Sequence, residues 1–378
     1  MASSKLYTSI SVIDTNHLRQ IEDNLNAVTK TPKIHRSELI RFVHKPQLLK
    51  VPYFVMDPRP FPLLDALINL HDNYDINSDP WVVELFQRQQ EGRNVSGKMK
   101  NVFMSRKTYC VEQLKRFASK AKTMYEEIGP SATHWYIHQT VAKFEKMVGN
   151  SNSQLLEWTN GEKDHLLKLL KTLPLSGDSY PQTSFNDLSP KVKELIKILV
   201  REAHKEVTGL VFIEQRVWVA ALELILSTHP QTKDRFSIGT FVGTSQSSKR
   251  RTNIADLVET ENQDEILDDF RTGKTNIILA TSVLEEGIDV SSCHMVICFE
   301  RPKNLKSFIQ RRGRARKQES KYFIFLPHSD GQAPEKWETL EEAMKAAYLD
   351  DMRRVEEAYE RELVEEHGDM IYKVPSTG

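Results

Sequence analysis

The stretch TNIILATSVLEEGIDVSSCHMVICFE, residues 275–300, decides the fold. At each end lies a short, continuous apolar run, too short for a helix and too uniformly apolar for a strand with one wet face. Both runs read as strands buried on two sides. Working outward, GLVFIE (209–214), FSIGTFVG (236–243) and KYFIFLP (321–327) have the same character. Helical patterns separate them: QRVWVAALELILST (215–228), QDEILDDFRTG (263–273) and NLKSFIQRRGRA (304–315). Strands alternating with helices from about residue 207 predict an α/β class with a parallel sheet covered on both faces. In such sheets ligands sit at the carboxyl ends of the strands.

Upstream the period changes. Residues from about 36 to 205 read almost wholly helical, including PFPLLDALINLHDNY (60–74), SATHWYIHQTVAKFEKMV (131–148) and SPKVKELIKILVREAHK (189–205). KNVFMSRKTYCVEQLKRFASKAKTMYEEIG (100–129) reads as one long amphipathic helix stopped by Gly129-Pro130, with Ser131 or Thr133 placed to cap the next. PLSGDSYPQTSFND (174–187) is a turn-rich linker. The tail KWETLEEAMKAAYLDDMRRVEEAYERELVEEHG (336–368) reads as a charged helix or helix pair.

The 378 residues carry 52 Lys and Arg against 52 Asp and Glu, so no global field draws in a polyanion. Any such binding rests on local asymmetry, and residues 301–321 supply it, with Glu319 as their sole acid. Cys110, Cys293 and Cys298 form no CxxC pair and no zinc-like spacing with histidine, which points to a reducing interior. No signal-peptide core and no membrane-length apolar run is present, so the expected location is the cytoplasm, with the nucleus as the alternative.

Three motifs bear on chemistry. Gly273-Lys274-Thr275 imitates the end of a phosphate-binding P-loop, but Asp268 stands where its first glycine belongs and a strand follows instead of a helix. It reads as a helix stop and a turn. The segment after the strand at 277–280 carries Thr281, Ser282, Glu285, Glu286, Gly287 and Asp289; hydroxyls and loop amides at a strand's carboxyl end suit phosphate oxygens, and an aspartate suits a ribose hydroxyl. The segment QRRGRARK (310–317) gathers arginines, which fork onto phosphate, around Gly313. Arg314 and Arg316 share a direction only if a helix ends there. The bland alternative is a solvated basic face.

Taken in order, these motifs resemble motifs V and VI of superfamily 2 helicases. LVFIEQRVWVAAL (210–222) then resembles motif IV, and FVGTSQ (241–246) the loop that touches the nucleic-acid backbone. The lobe that they mark is the second RecA-like lobe. TSVLEEGIDVSSCHMVICFERPKNLKSFIQRRGRARKQESKYFIFL (281–326) is most similar to the Dicer and RIG-I-like branch, and its phrasing to fungal Dicer-like proteins. Hef-type relatives end motif VI in GRTGR, whereas this chain reads GRARK, with Lys317 where many helicases carry the last arginine. The resemblance implies four parts: 1–49, a linker from a first RecA-like lobe; 50–190, an all-α insertion; 191–330, the second RecA-like lobe; and 331–378, a charged helical extension.

The resemblance also implies roles. Arg314 and Arg316 stabilise the transferring phosphoryl group, Gly287 and Asp289 approach the nucleotide, and Gln310 links nucleotide and RNA sites. Arg216, Gly243, Thr244, Gln246, Thr281 and Ser282 touch the RNA backbone. The implied cofactor is ATP with magnesium, completed by a first lobe whose P-loop and DExH box this sequence does not contain. On this expectation the chain is part of an RNA-dependent ATPase within a ribonuclease of RNA interference and antiviral defence, whose nuclease domains also lie elsewhere. The implied partners are double-stranded RNA and a double-stranded-RNA-binding protein on the insertion; no membrane is implied. Lys98, Lys100, Arg106, Lys107, Lys115, Arg116, Lys120 and Lys122 are candidates for duplex or partner contact, or else a solvated surface. Trp135, Tyr136, Phe144 and Trp158 read as core, and His35, His134 and His138 as structural. The rival readings are a RIG-I-like or Hef-like helicase fragment, and a non-enzymatic docking module.

Overall fold

The computed structural model describes residues 46–150, 155, 158–175, 187–243, 253–258, 265–285, 290, 292–328, 339 and 342. The elements in chain order are β1 (Gln47–Tyr53), α1 (Pro62–Asp72), α2 (Pro80–Gln90), α3 (Ser96–Ser105), α4 (Tyr109–Glu127), α5 (Pro130–Val148), α6 (Asn160–Leu170) and α7 (Pro190–Glu202). There follow β2 (Gly209–Phe212), α8 (Arg216–Thr228), β3 (Ile238–Phe241), α9 (Ile266–Arg271), β4 (Ile277–Ala280), β5 (Met295–Cys298), α10 (Leu305–Arg312) and β6 (Lys321–Pro327). Of the acidic tail expected to be helical only residues 339 and 342 are described, and the residues before Pro46 lie outside the described residues.

The sheet has the order β1-β6-β5-β2-β4-β3. Every neighbouring pair is parallel. All five strands expected after residue 207 are present, and β2, β4 and β5 are buried along their full length. Alternate side chains divide two cores. Val211, Ile277, Leu279, Ile297 and Phe325 enter one together with the helices α1 to α8. Leu210, Phe212, Ile278, Val296 and Ile324 enter the other, beneath Phe270 of α9 and Phe308 of α10. Continuous apolar strands are therefore the signature of two covered faces.

Three local expectations change. The stretch 36–205 is not wholly helical: Gln47–Tyr53 pairs with β6 as an edge strand. Only Val51 of it is buried, so its alternation is too faint for pattern reading to separate from the helices around it. The long helix expected over 100–129 is two helices. Arg106 takes a left-handed φ of 50°, and Thr108 restarts the chain by accepting the Val111 N–H at 3.2 Å while donating to Asp79 Oδ2 at 2.6 Å. Neither Ser131 nor Thr133 caps α5; the N-cap is Gly129, and Thr133 instead donates to the Gly129 carbonyl at 3.0 Å. Gly273 does stop α9, with φ 79°.

The helical segment is joined to the sheet at two seams. Gln113 of α4 is buried; its Nε2 donates to Asn253 Oδ1 at 3.1 Å and its Oε1 accepts the Ile254 N–H at 2.9 Å. Arg116 donates to Asn253 at 3.1 Å, Lys120 to Asp256 at 2.5 Å and Tyr136 to the Ala255 carbonyl at 2.8 Å. At the second seam the α4–α5 turn meets the start of α7. Ser189 Oγ donates to the Glu127 carbonyl at 2.6 Å and its N–H to Ile128 at 2.8 Å. Gly129 has φ 122°, and a Cβ there would lie 2.4 Å from the Asp187 carbonyl oxygen.

Gly129→Ala combines a left-handed backbone with a clash against main chain, so it lowers unfolding stability by more than about 2 kcal/mol. Gln113→Ala leaves the buried Ile254 N–H unpaired and costs about 1–3 kcal/mol. Both are read from urea unfolding midpoints; unchanged midpoints would remove the corresponding seam.

Candidate functional site

Because every strand is parallel, all carboxyl ends lie along one edge of the sheet. The expected backbone-contacting residues fall on adjacent ends in the order β2, β4, β3. Arg216 opens α8 just beyond β2. Thr281 follows β4, and its hydroxyl accepts the Gly243 N–H at 3.3 Å. A Cβ on Gly243 would stand 3.5 Å from Val283 and 3.8 Å from the Arg216 guanidinium. Arg216, Gly243 and Thr281 are thus brought together, with Thr281 largely buried as the brace between two strand ends and Ser282 exposed beside it. Thr244 and Gln246 lie outside the described residues.

Of the expected nucleotide residues, Arg314 and Arg316 lie one strand further along, just past the end of α10. α10 starts with Asn304 accepting the Ser307 N–H at 2.9 Å and ends at Arg312, with Gly313 as C-cap. The helix therefore stops where Arg314 and Arg316 need it to. Arg314, half-buried, donates from Nη2 to the Glu285 carbonyl at 3.0 Å, tying the arginine segment to the loop after β4. Arg316 is exposed, with Nε on the Gly313 carbonyl at 2.7 Å. Gln310 is half-buried on α10. Gly287 and Asp289 lie outside the described residues.

Sequence reasoning gave no role to Arg311, and the structure makes it the centre of the site. It is 1% exposed. Its Nε donates to Glu285 Oε1 at 2.7 Å, its Nη2 to Glu214 Oε1 at 2.7 Å and its Nη1 to the Glu300 carbonyl at 3.4 Å. The guanidinium lies 5.1 Å from the centre of the Phe212 ring. Burial opposes its charge, but the paired carboxylates hold its pKa above the ordinary arginine value. Glu214 shows the reverse balance: burial pushes its carboxyl up, while Lys303 and Arg311 outweigh that and hold it below the usual range. One signal was available. Glu214 and Glu300 each stand two residues beyond a fully buried strand, and acids in that position need a buried cation. Phe308 and Arg311, three apart, form the inward face of α10.

The basic residues of 98–122 do not form one surface. They divide between α3, α4 and the break that separates them, which holds Arg106 and Lys107. Arg106 donates to the Tyr74 carbonyl at 2.9 Å, while Arg116 and Lys120 hold residues 253–256. Lys98, Lys100, Lys107, Lys115 and Lys122 are exposed. Tyr136, Phe144 and Trp158 are buried core side chains, and Trp135 packs against that core. Among the described residues, no helix is long and apolar enough to cross a membrane.

Residues 190–319 match the family model described as the helicase conserved C-terminal domain. The chain is 52% identical over 374 residues to a Dicer-like protein 2 of Phaeosphaeria nodorum, an alignment that takes in 97% of this chain and 27% of that protein. A Dicer-like protein 2 of Aspergillus fumigatus is 38% identical over 371 residues, 95% of this chain and 26% of its own length. The chain spans about a quarter of the length of these curated relatives. Among solved structures, a DEAD box protein from Methanococcus jannaschii aligns at 25% identity with a TM-score of 0.30, over 41% of this chain and 37% of that one, an overlap on which nothing here rests. With 97% of its length aligned at 52% identity to about a quarter of a Dicer-like protein 2, and residues 190–319 matching the helicase C-terminal model, the chain belongs to the fungal Dicer-like family.

Proposed function

We propose that this chain is the double-stranded-RNA- and ATP-engaging part of a Dicer-like ribonuclease acting in RNA interference, including antiviral defence. The single observation that carries the reading is the joining of two sets of residues along one sheet edge. Arg216, Gly243 and Thr281 meet beyond β2, β3 and β4. Arg314 is tied to Glu285, four residues after Thr281, by a 3.0 Å hydrogen bond. In this reading a change at one set is felt at the other.

The residues present fit the second-lobe half of a nucleotide site. Arg314 and Arg316 leave the end of α10 beside the loop after β4, and Arg311 beneath them is already neutralised by carboxylates. ATP with magnesium, bound between this lobe and a first one, would supply the phosphoryl group on which charge develops. Arg314 and Arg316 would stabilise that charge, with Gly287 and Asp289 near the sugar and Gln310 between the two sites. On the RNA side the contacts go to phosphates and 2′-hydroxyls, because double-stranded RNA is read by shape. In this reading residues 50–190, apart from 50–53, which pair with β6 as part of β1, form an insertion into the helicase region. The three cysteines are buried thiols, which suits the cytoplasm or nucleus. A second reading, docking of a double-stranded-RNA-binding protein on the helical segment, draws on exposed Val83, Phe86, Phe103 and Met104 of α2 and α3.

The reading is tested by binding of the chain to blunt duplex RNA, with duplex DNA of the same sequence as competitor, over a salt series. RNA outcompetes DNA at near-physiological salt. Arg216→Ala weakens binding severalfold and lowers the salt slope by about one phosphate contact. Equal competition by DNA would overturn the RNA assignment. The arginines separate in a second measurement. Arg311→Ala strands two carboxylates and costs about 3–5 kcal/mol of stability. Arg314→Ala stays within about 1 kcal/mol of the parent; a loss as large as that of Arg311→Ala would make Arg314 structural.

A further inference from the structure

Beyond β5, Glu300 occupies a place that the reading above does not use. Its Oε2 accepts the Glu214 N–H at 3.0 Å, and its own carbonyl accepts from Arg311. Its other oxygen, Oε1, is buried and has no hydrogen-bond partner. Ionisable groups from several elements surround it. Lys191 of α7, 2% exposed, is ion-paired with Glu127 at the end of α4 and lies 4.2 Å from the centre of the Phe299 ring and 4.9 Å from that of Tyr53. Lys191 and Glu127 act on Glu300 electrostatically, as does Glu214, which is itself paired with Lys303 and Arg311. Tyr53 of β1 completes the surround. A run of hydrogen bonds therefore leads from Glu300 to the arginine helix, through the Glu214 N–H and carboxylate, Arg311, Glu285 and the Arg314 guanidinium, while Lys191 of the helical segment acts on Glu300 through its charge alone.

We propose that Glu300 is a positioning residue, which sets the Glu214 carboxylate that receives Arg311 and so transmits the packing of α4 and α7 to the helix bearing Arg314. A buried carboxylate oxygen without a partner is costly, and nothing in the packing of β5 requires one. Its cost is explained if the group must respond to what surrounds it. Burial pushes the Glu300 carboxyl up to about 7, against the pull of Lys191 and of the Glu214 N–H. Protonation removes the charge that faces Lys191 and weakens the hold on the Glu214 N–H. The relay thus has two settings within the physiological range. It deepens the nucleotide reading of Arg314 but stands on contacts independent of it.

The test is NMR of the chain with 15N-labelled arginine, following the side-chain Nε–H of Arg311 from about pH 5.5 to 8.5. Arg311→Lys assigns the signal. The wild-type signal shifts with a midpoint near 7, and Glu300→Gln abolishes the titration while the signal stays dispersed. A wild-type signal that does not titrate, or one that titrates unchanged in Glu300→Gln, overturns the proposal. Urea unfolding is a second readout. A carboxyl whose folded pKa is raised loses stability as pH rises from its unfolded value through its folded one. The midpoint of Glu300→Gln therefore gains on wild type between about pH 5 and 8, and a constant gap would overturn the assignment. If Arg311 follows Glu300 but no ATP analogue shifts the Arg314 signal in a protein that includes the first lobe, the positioning role stands and the nucleotide reading falls.

Discussion

The Arg311 guanidinium, enclosed by Glu214, Glu285 and the Glu300 carbonyl over the Phe212 ring, is the interaction on which the functional edge of the sheet depends. Each partner comes from a different connection: the turn after β2, the loop after β4, the end of β5. A single cation on α10 therefore draws three strand ends to one point. A buried cation is tolerable only when its hydrogen bonds are met by matched charge, and the planar fork of arginine meets two carboxylates and a carbonyl at once. Lysine could not. With that centre fixed, Arg314 can leave the helix end and reach the Glu285 main chain, and Arg316 is left at the surface.

The helical segment contributes in a different way from the one its surface charge suggests. Two of its cations, Arg116 and Lys120, are spent on residues 253–256, just after the connection that carries Lys249, Arg250 and Arg251 in the sequence. Gln113 and Tyr136 seal the same place from the buried side. Lys191, basic in sequence and buried in the fold, belongs to the interior relay and not to a binding surface. Charge counted along a helix says little about what it binds, because long cationic side chains also serve as internal ties.

Much of the α/β lobe was legible beforehand. The strands at 209–212, 277–280 and 295–298 are uniformly apolar because both faces are covered, and that property can be read without a structure. The turn after α9 was legible from Gly273, whereas the helix pattern read over 304–315 overran the end of α10 at Arg312. β1 was not, because an edge strand with one buried side chain has no strong period. The break at Arg106 was not, because the left-handed turn and the Thr108 cap answer to Asp79, 29 residues earlier. Arg311 was visible as one arginine among four; its special position needed the two acids that meet it from residues 214 and 285.

What the sequence by itself determined is local: which segments are strands or helices, where the arginines cluster, and the order of motifs along the chain. Periodicity and turn chemistry act over a few residues, so they can be read there. Tertiary structure alone decided which arginine is buried, which lysines are internal ties, and that Glu300 faces a helix more than a hundred residues upstream. Those outcomes follow from desolvation and charge pairing among groups that only folding brings within a few ångströms, and neither strength is defined until the neighbours are in place.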